Sequence, residues 1–246
     1  MTAASRLRVV GAGRAGRSLA VALERAGWDV VGLLGRSDPL AAALDGTDLL
    51  VLATPDAAIG EVAAAVTPDS RAVIAHLAGS RGLEALRPHQ RVAALHPLVA
   101  LPSPAVGAER LAAGTWFALA GDPLAQQVVS DLGGRWFVVA DADRAAYHAA
   151  AALASNHLVA LFGQVERIAG AISVPAEAYL ELARSTLDNL ALLGAAAALT
   201  GPVARGDWEI VARHLAAIDP GEREAYRALA AAARRLVDDH GLPPDL

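Results

Sequence analysis

The sequence has no cysteine and no lysine; all 21 basic residues among its 246 are arginine. Without thiols there is no disulfide, no thiolate metal site and no cysteine nucleophile. Without an amine side chain there is no Schiff base and no lysine general acid. Also missing are a block of basic residues, paired carboxylates in a glycosidase arrangement, a metal-ligand cluster, a Gly-x-Ser-x-Gly elbow and a P-loop. The net charge of -5 argues against nucleic acid or an anionic membrane as partner. The longest apolar stretch, 190–199, is too short to span a bilayer, and the opening MTAASRLR lacks an apolar signal core, so a soluble cytoplasmic protein is expected. What is present is 54% hydrophobic residues, enough for a substantial core in one large domain or two modest ones.

The chain is organised around residues 7–36. An apolar strand (7–10) runs into Gly11-Ala12-Gly13-Arg14-Ala15-Gly16, then a helix closed by Gly27, then a second strand (28–34). This is G-x-G-x-x-G in its strand-turn-helix setting, the arrangement that binds a dinucleotide. Gly11 allows the tight turn, Gly13 lets the backbone approach a pyrophosphate, and Gly16 brings helix and strand together. Arg14 and Ala15 belong to the helix start, whose free N–H groups and partial positive charge favour a phosphate. About 20 residues past the last glycine, where NAD-binding proteins carry an acid for the ribose 2′-OH, this chain has Arg36, followed by Ser37. A guanidinium and a hydroxyl suit a 2′-phosphate, so NADP is expected over NAD. Asp38, two residues on and followed by Pro39, is the competing reading.

Residues 39–44 read as a short helical piece and 45–48 as a turn. A third strand covers 49–53, after which Thr54 is placed to cap a helix with Pro55 at its first position, near the cofactor. Further strands follow at 72–77, with His76 near its end and Ala78-Gly79-Ser80 beyond, and at 91–95, stopping at His96-Pro97. A weak helix (82–87) lies between them. Strands alternating with short helices predict a parallel sheet with helices on both faces. Residues 115–120 and 136–140 complete it as strands, with a helix between them that Asp122 caps, Pro123 begins and Gly133 ends. The expected division is a dinucleotide-binding domain, 1–142, and a helical domain, 143–246. In the latter, 144–169 reads as one long helix of about 40 Å, apolar on nearly every side and so expected to be buried. Arg144, His148, Ser155 and Asn156 form a polar stripe on it. Later helices span 175–199, 207–218 and 220–239, with a loop 199–207 between the first two.

With the glycine turn, His96-Pro97-Leu98, Tyr147-His148-Ala149-Ala150-Ala151, Ala154-Ser155-Asn156-His157 and the loop Thr200-Gly201-Pro202-Val203, Arg205-Gly206-Asp207 in hand, nearly the whole chain resembles a known family. It is one of largely uncharacterised Rossmann-like proteins with a helical C-terminal domain similar to that of 6-phosphogluconate dehydrogenase. By architecture it is related to ketopantoate reductases, pyrroline-5-carboxylate reductases, prephenate dehydrogenases and deazaflavin-dependent NADP oxidoreductases. The resemblance implies an α/β Rossmann doubly wound sheet followed by an all-α domain. It also implies a nicotinamide cofactor between the two domains and hydride transfer with a small carboxylate-bearing substrate. It exposes a departure as well. The related hydroxyacid dehydrogenases and ketopantoate reductases use a lysine with an asparagine on the first helix of the second domain, whereas here His148 occupies that stripe above Asn156. His96-Pro97 looks like the catalytic turn of prephenate dehydrogenases, without the glycine motif that follows it there.

His96 at the sheet's ligand edge suits a general acid, against the alternative of a histidine that holds a turn. For His76, one residue further inside its strand, the structural reading leads. His148 and Asn156 together are expected catalytic residues facing the cleft, against the alternative of a satisfied core network. Ser80, Ser155, Thr200 and Arg205 are expected substrate contacts, Arg205 by a bidentate grip on a carboxylate; a surface loop with a helix cap is the alternative for Thr200 and Arg205. The expected activity is NADP-dependent hydride transfer to the carbonyl or imine carbon of a small carboxylate, such as ketopantoate or a pyrroline carboxylate. The alternatives are a non-catalytic NADP sensor and a deazaflavin reductase. Alanine-rich apolar helices, especially 187–199, suggest a homodimer.

Overall fold

The structure, a computed structural model, describes residues 4–238 and 242–243. The chain divides into two compact units, Met1–Ser155 and Asn156–Leu246.

The first unit is built on a seven-stranded sheet in the order β2-β1-β3-β4-β5-β6-β7. Its strands are β1 (Arg6–Val10), β2 (Asp29–Leu34), β3 (Leu49–Leu52), β4 (Val73–His76), β5 (Val92–Pro97), β6 (Trp116–Gly121) and β7 (Arg135–Val138). The first five are parallel, β6 is antiparallel to β5, and β7 runs parallel to β6. Apolar runs such as Leu49-Leu50-Val51-Leu52 are buried on both sides, as parallel strands require. Alternate residues divide between two cores. Leu7, Val9, Leu49, Val51, Val73 and Leu95 face α1 (Arg14–Arg25), α3 (Pro104–Leu111) and α4 (Leu124–Asp131). Val10, Leu50, Leu52 and Ile74 face α2 (Ile59–Ala64) and the 3-10 turn Leu83–Leu86.

Three local expectations are corrected. Residues 39–44 form no helix: 39–40 are irregular and 41–46 are turns. The Arg8 guanidinium, reaching over from β1, takes the carbonyls of Ala42, Ala43 and Asp45 at 3.2, 2.7 and 3.2 Å, and the Ala42 carbonyl also accepts from the Asp45 amide in a turn. The sheet is not parallel throughout. Between β5 and β6 the chain makes α3, capped by Ser103 and begun by Pro104, and returns to the edge it left, where the Leu98 amide donates to the Trp116 carbonyl at 2.8 Å. Strand β6 therefore starts at the carboxyl end of β5 and runs back. Finally, Thr54 caps nothing: the 3-10 turn Asp56–Ala58 has Pro55 at its cap position, no side-chain cap, and a buried Thr54 hydroxyl with no hydrogen-bond partner.

The helical stretch expected at 144–169 is α5 (Arg144–Ala152), a π-helical turn (Leu153–His157) and α6 (Leu158–Ala171). The π turn interrupts the 3.6-residue period, so the polar stripe of Arg144 and His148 does not continue by regular spacing to Ser155 and Asn156, which are exposed. The expected burial is also corrected. In this single chain only Arg144, Gln164 and Ala169 are buried along the whole stretch, and Leu153 and Val159 are exposed, because few neighbours cover its apolar sides.

The second unit continues with α7 (Ala176–Leu193), stopped by Gly194 at φ 76°, then α8 (Ala195–Ala198), α9 (Pro202–Arg205), α10 (Trp208–Ala217) and α11 (Arg223–Arg234). The expected last helix began at 220; that end is the 3-10 turn Pro220–Glu222, and residue 239 lies outside the described residues. The core here is small: Val203, Val211, Leu215 and Ala230, flanked by Trp208, Ile218 and Tyr226. Gln164 donates to the Glu222 carbonyl at 2.8 Å and Arg167 pairs with the Glu222 carboxylate, tying α6 to the start of α11. Among the described residues no helix is long and apolar enough to cross a membrane.

Candidate active site

The glycine turn has the geometry its spacing predicts. Gly11 sits at φ 109°, and a Cβ there would lie 2.5 Å from the Ala53 carbonyl oxygen; a Cβ on Gly16 would lie 2.1 Å from the Gly11 oxygen. Only glycine fits at either place. Gly13 differs, since a Cβ there would meet nothing within 4 Å. The turn forms one wall of a cavity of about 750 Å³, closed by the ends of β1, β2 and β3 and by Arg36, Leu40, Thr54, Ala58 and Val62. Helix α1 opens on it without a side-chain cap, so its first N–H groups remain available. Arg36, exposed, stands in the cavity wall, whereas the Asp38 carboxylate accepts from the Gly35 amide at 2.6 Å and so holds the turn. Ser37 and Pro55 are exposed beside it.

At the carboxyl ends of β4 and β5 lies a second group of polar side chains. In register, Leu52 pairs with His76, His76 with Ala94, His96 with Ala118, and Ala118 with Phe137. His76, Ala94, His96, Ala118 and Phe137 therefore share one face of the sheet. Ala94 and Ala118 are small, and α5 brings Tyr147 to that face. Its ring meets His96 edge-on at 5.5 Å between centroids and Phe137 at 5.8 Å, bridging the gap that Ala118 leaves.

The Tyr147 hydroxyl lies 2.5 Å from His96 Nδ1. Burial first, then His148 and Arg144, hold the His96 pKa down to about 4; burial pushes the Tyr147 phenol up to about 12. At neutral pH the imidazole is neutral and the phenol protonated, and the phenol can donate to Nδ1 only when the imidazole proton is on Nε2. That nitrogen faces bare backbone: a Cβ on Gly79 would lie 3.0 Å from His96 Nε2 and 2.7 Å from His148 Cδ2. The His96 and His148 rings stand 6.0 Å apart, edge to face. Ser80, next along, donates to the Asp56 carboxylate at 2.6 Å.

Of the residues singled out by sequence, His96, His148 and Ser80 are thus gathered around Gly79. His76 is fully buried on the same face with neither ring nitrogen in a good hydrogen bond; burial, then Arg144, disfavours its protonated form. Asn156, Thr200 and Arg205 belong to the second unit, where Asn156 and Thr200 are exposed and Arg205 pairs with Asp207 at 2.9 Å. Ser155 is exposed in the π turn. Sequence reasoning gave no role to Tyr147 or Gly79. Both adjoin flagged residues, but only the pairing of β5 with β6 reveals what they touch.

Residues 118–233 match the family model described as a domain of unknown function (DUF2520). No curated protein matches the sequence. Among solved structures, the chain is similar to a Bacteroides fragilis protein described as a candidate NADP oxidoreductase, with 19% identity, a TM-score of 0.79, and 94% of this chain and 98% of that one covered. It is also similar to an Aspergillus terreus reductive aminase in complex with NADPH4, cyclohexanone and allyl amine, with 18% identity, a TM-score of 0.59 and coverage of 95% and 87%. A Plasmodium falciparum pyrroline carboxylate reductase with NADP bound gives 11% identity, a TM-score of 0.58 and coverage of 95% and 98%. The chain is thus a Rossmann-like α/β protein with a helical C-terminal region, and the match to the domain of unknown function runs from β6 into α11.

Proposed function

We propose that this protein is an NADP-dependent oxidoreductase acting on the carbonyl or imine carbon of a small carboxylate, with a 2-oxo acid such as ketopantoate preferred and a pyrroline carboxylate next. One observation carries this reading: the glycine-turn cavity and the His96-Tyr147-His148 group lie along the same carboxyl edge of one run of parallel strands, where sheets of this kind bind their ligands.

The residues present fit the cofactor. Gly13 leaves the approach to the α1 amides open, the buried Thr54 hydroxyl in the cavity wall lacks a partner, and Arg36 offers a fork to a 2′-phosphate. Gly11, Gly13, Arg14, Ala15 and Gly16 would hold the pyrophosphate, Arg36 and Ser37 the phosphorylated ribose, and Thr54 and Pro55 the far wall. When bound, the nicotinamide supplies the hydride. His96 donates the matching proton from Nε2 to the substrate oxygen or nitrogen and takes one at Nδ1 from the Tyr147 phenol, and the phenolate so formed at once recovers a proton from water. His148 flanks the same space and orients the acceptor, and Ser80, fixed by Asp56, contacts the substrate. The similarity to a reductive aminase in complex with cyclohexanone and allyl amine, and to a pyrroline carboxylate reductase, supports the carbon class.

The test is single-turnover oxidation of NADPH, followed at the reduced nicotinamide band, against a panel of 2-oxo acids and cyclic imines. Oxidation by one class, lost in His96→Ala, is expected. Tight NADPH binding with no oxidation by any of them, and no effect of His148→Ala, would make the protein a sensor of the nucleotide.

A further inference from the structure

Arg144 opens α5 and is 1% exposed, the largest fully buried side chain among the described residues. Its Nε donates to Asp141 Oδ1 at 3.2 Å, and Asp141 Oδ2 in turn accepts from the Leu83 amide at 3.0 Å. This fixes the guanidinium beside the loop that follows β4. Its other two nitrogens, Nη1 and Nη2, are buried with no hydrogen-bond partner, and the His76 ring has only a poor contact with the Gly82 backbone. A Cβ on Gly82 would lie 2.7 Å from the Asp141 carboxylate that holds Arg144, and the His76 ring meets the Gly82 backbone, so Arg144 and His76 adjoin the same loop.

A guanidinium stays charged at any pH a protein meets. Leaving its donors buried and unpaired is costly, and the Asp141 carboxylate, half in solvent, engages only one edge of the fork. The free edge presents two nitrogens side by side, the geometry that matches the two oxygens of a carboxylate. Arg205, by contrast, is largely exposed and already paired with Asp207.

We propose that Nη1 and Nη2 of Arg144 form the binding site for the substrate's carboxylate, with His76 facing the same guest. This rests on the oxidoreductase reading above for the identity of the guest as substrate, and it adds the anchor that makes the preferred substrate an anion. The donors are sealed from solvent, so the guest reaches them as the Gly82-Leu83 loop, held by Asp141, opens. Once bound, the carboxylate is enclosed with its counter-charge. A carbonyl compound without a carboxylate leaves the fork unpaired and is rejected.

The test uses the full chain and two probes of similar shape, oxamate, which carries a carboxylate, and oxamide, which is neutral. The readout is the imidazole Cε1–H signals in NMR spectra. Oxamate is expected to move the His76 and His96 signals saturably, and oxamide to leave them in place. Arg144→Gln abolishes the response, and Arg144→Lys, which keeps the charge and loses the fork, weakens it at least tenfold. NADPH affinity, read by nicotinamide fluorescence, stays within twofold in both variants. Absence of any oxamate response in the unaltered protein, an equal response to oxamide, or an undiminished response in Arg144→Gln overturns the proposal. The oxamate and oxamide arms need no variant, so they decide the matter even if Arg144→Gln does not fold. If NADPH fails to bind while an Arg144-dependent oxamate response persists, the cofactor reading falls and the anion site stands.

Discussion

The Tyr147 hydroxyl stands 2.5 Å from Nδ1 of His96, one on the helix that crosses the sheet and the other on the strand beneath. If this contact sets the imidazole's tautomer, Tyr147→Phe lowers kcat roughly tenfold to a hundredfold, less than the 10²- to 10⁴-fold expected for His96→Ala. It also loses about 1 kcal/mol of stability. Burial, His148 and Arg144 hold the His96 pKa near 4 and remain in the variant, so the acid limb of the kcat/KM profile stays in place and the loss appears in kcat.

The two sheet histidines bear on stability through pH. His96 is held down to about 4 and His76 is lowered in the same direction, mainly by burial, while in the unfolded chain both titrate near 6.5. Between those values the unfolded state binds more protons than the folded one. The contribution is therefore complete above about pH 6.5 and is lost as the pH falls toward 4. Thermal melts across this window should show Tm falling as the solution is acidified, and His96→Gln should flatten the slope.

Glycines in the turn separate folding from cofactor binding. Gly13→Ala adds a methyl where nothing stands within 4 Å, so Tm holds or rises slightly, yet NADPH affinity drops at least about tenfold because the backbone approach is blocked. Gly11→Ala meets the Ala53 carbonyl at a positive φ, and both stability and NADPH binding suffer, the former by about 2 kcal/mol or more. Melting curves beside fluorescence titrations with NADPH distinguish the two.

Arg36→Ala should weaken NADPH by about tenfold to a hundredfold, the worth of one charge-assisted pair to a phosphate, and leave NADH nearly unchanged. Equal weakening of both in a binding titration would remove the 2′-phosphate assignment and return attention to Asp38.

Along α7 and its end, Leu182, Leu187, Leu190, Leu192 and Leu193 are exposed. A second copy of the chain is the occupant we expect there, and light scattering at micromolar concentration should give twice the chain mass. Leu187→Glu should shift it to the monomer.

Strands were legible wherever an apolar run was bounded by Gly, Pro or Asp, because burial on both faces of a sheet leaves a continuous apolar signature. The stretch 39–44 misled because its Ala42 and Ala43 carbonyls are taken by Arg8, some 34 residues earlier, which no local pattern encodes. Helix α3 was overlooked although Ser103-Pro104 announces it, and with it went the reversal of β6. The glycine turn and Arg36 could be placed from spacing alone, since their geometry is local. Tyr147, Gly79 and Arg144 could not be given partners, because theirs come from strands paired at a distance. Apolar character around 144–169 predicted burial within one chain, yet the sides of that stretch are left uncovered.

Ala118 is a single methyl between His96 and Phe137 in the row that Tyr147 spans. Side chains on a strand alternate, so sliding β6 by one position would turn that methyl away and set Phe117 or Leu119 beneath the phenol, with no room for it. A misaligned β5-β6 pair would thus displace the phenol and leave His96 without its partner at Nδ1. The one reversal in the sheet therefore fixes the side chain that sets the imidazole's tautomer, and a chain paired one position out keeps its cofactor turn while losing that proton relay.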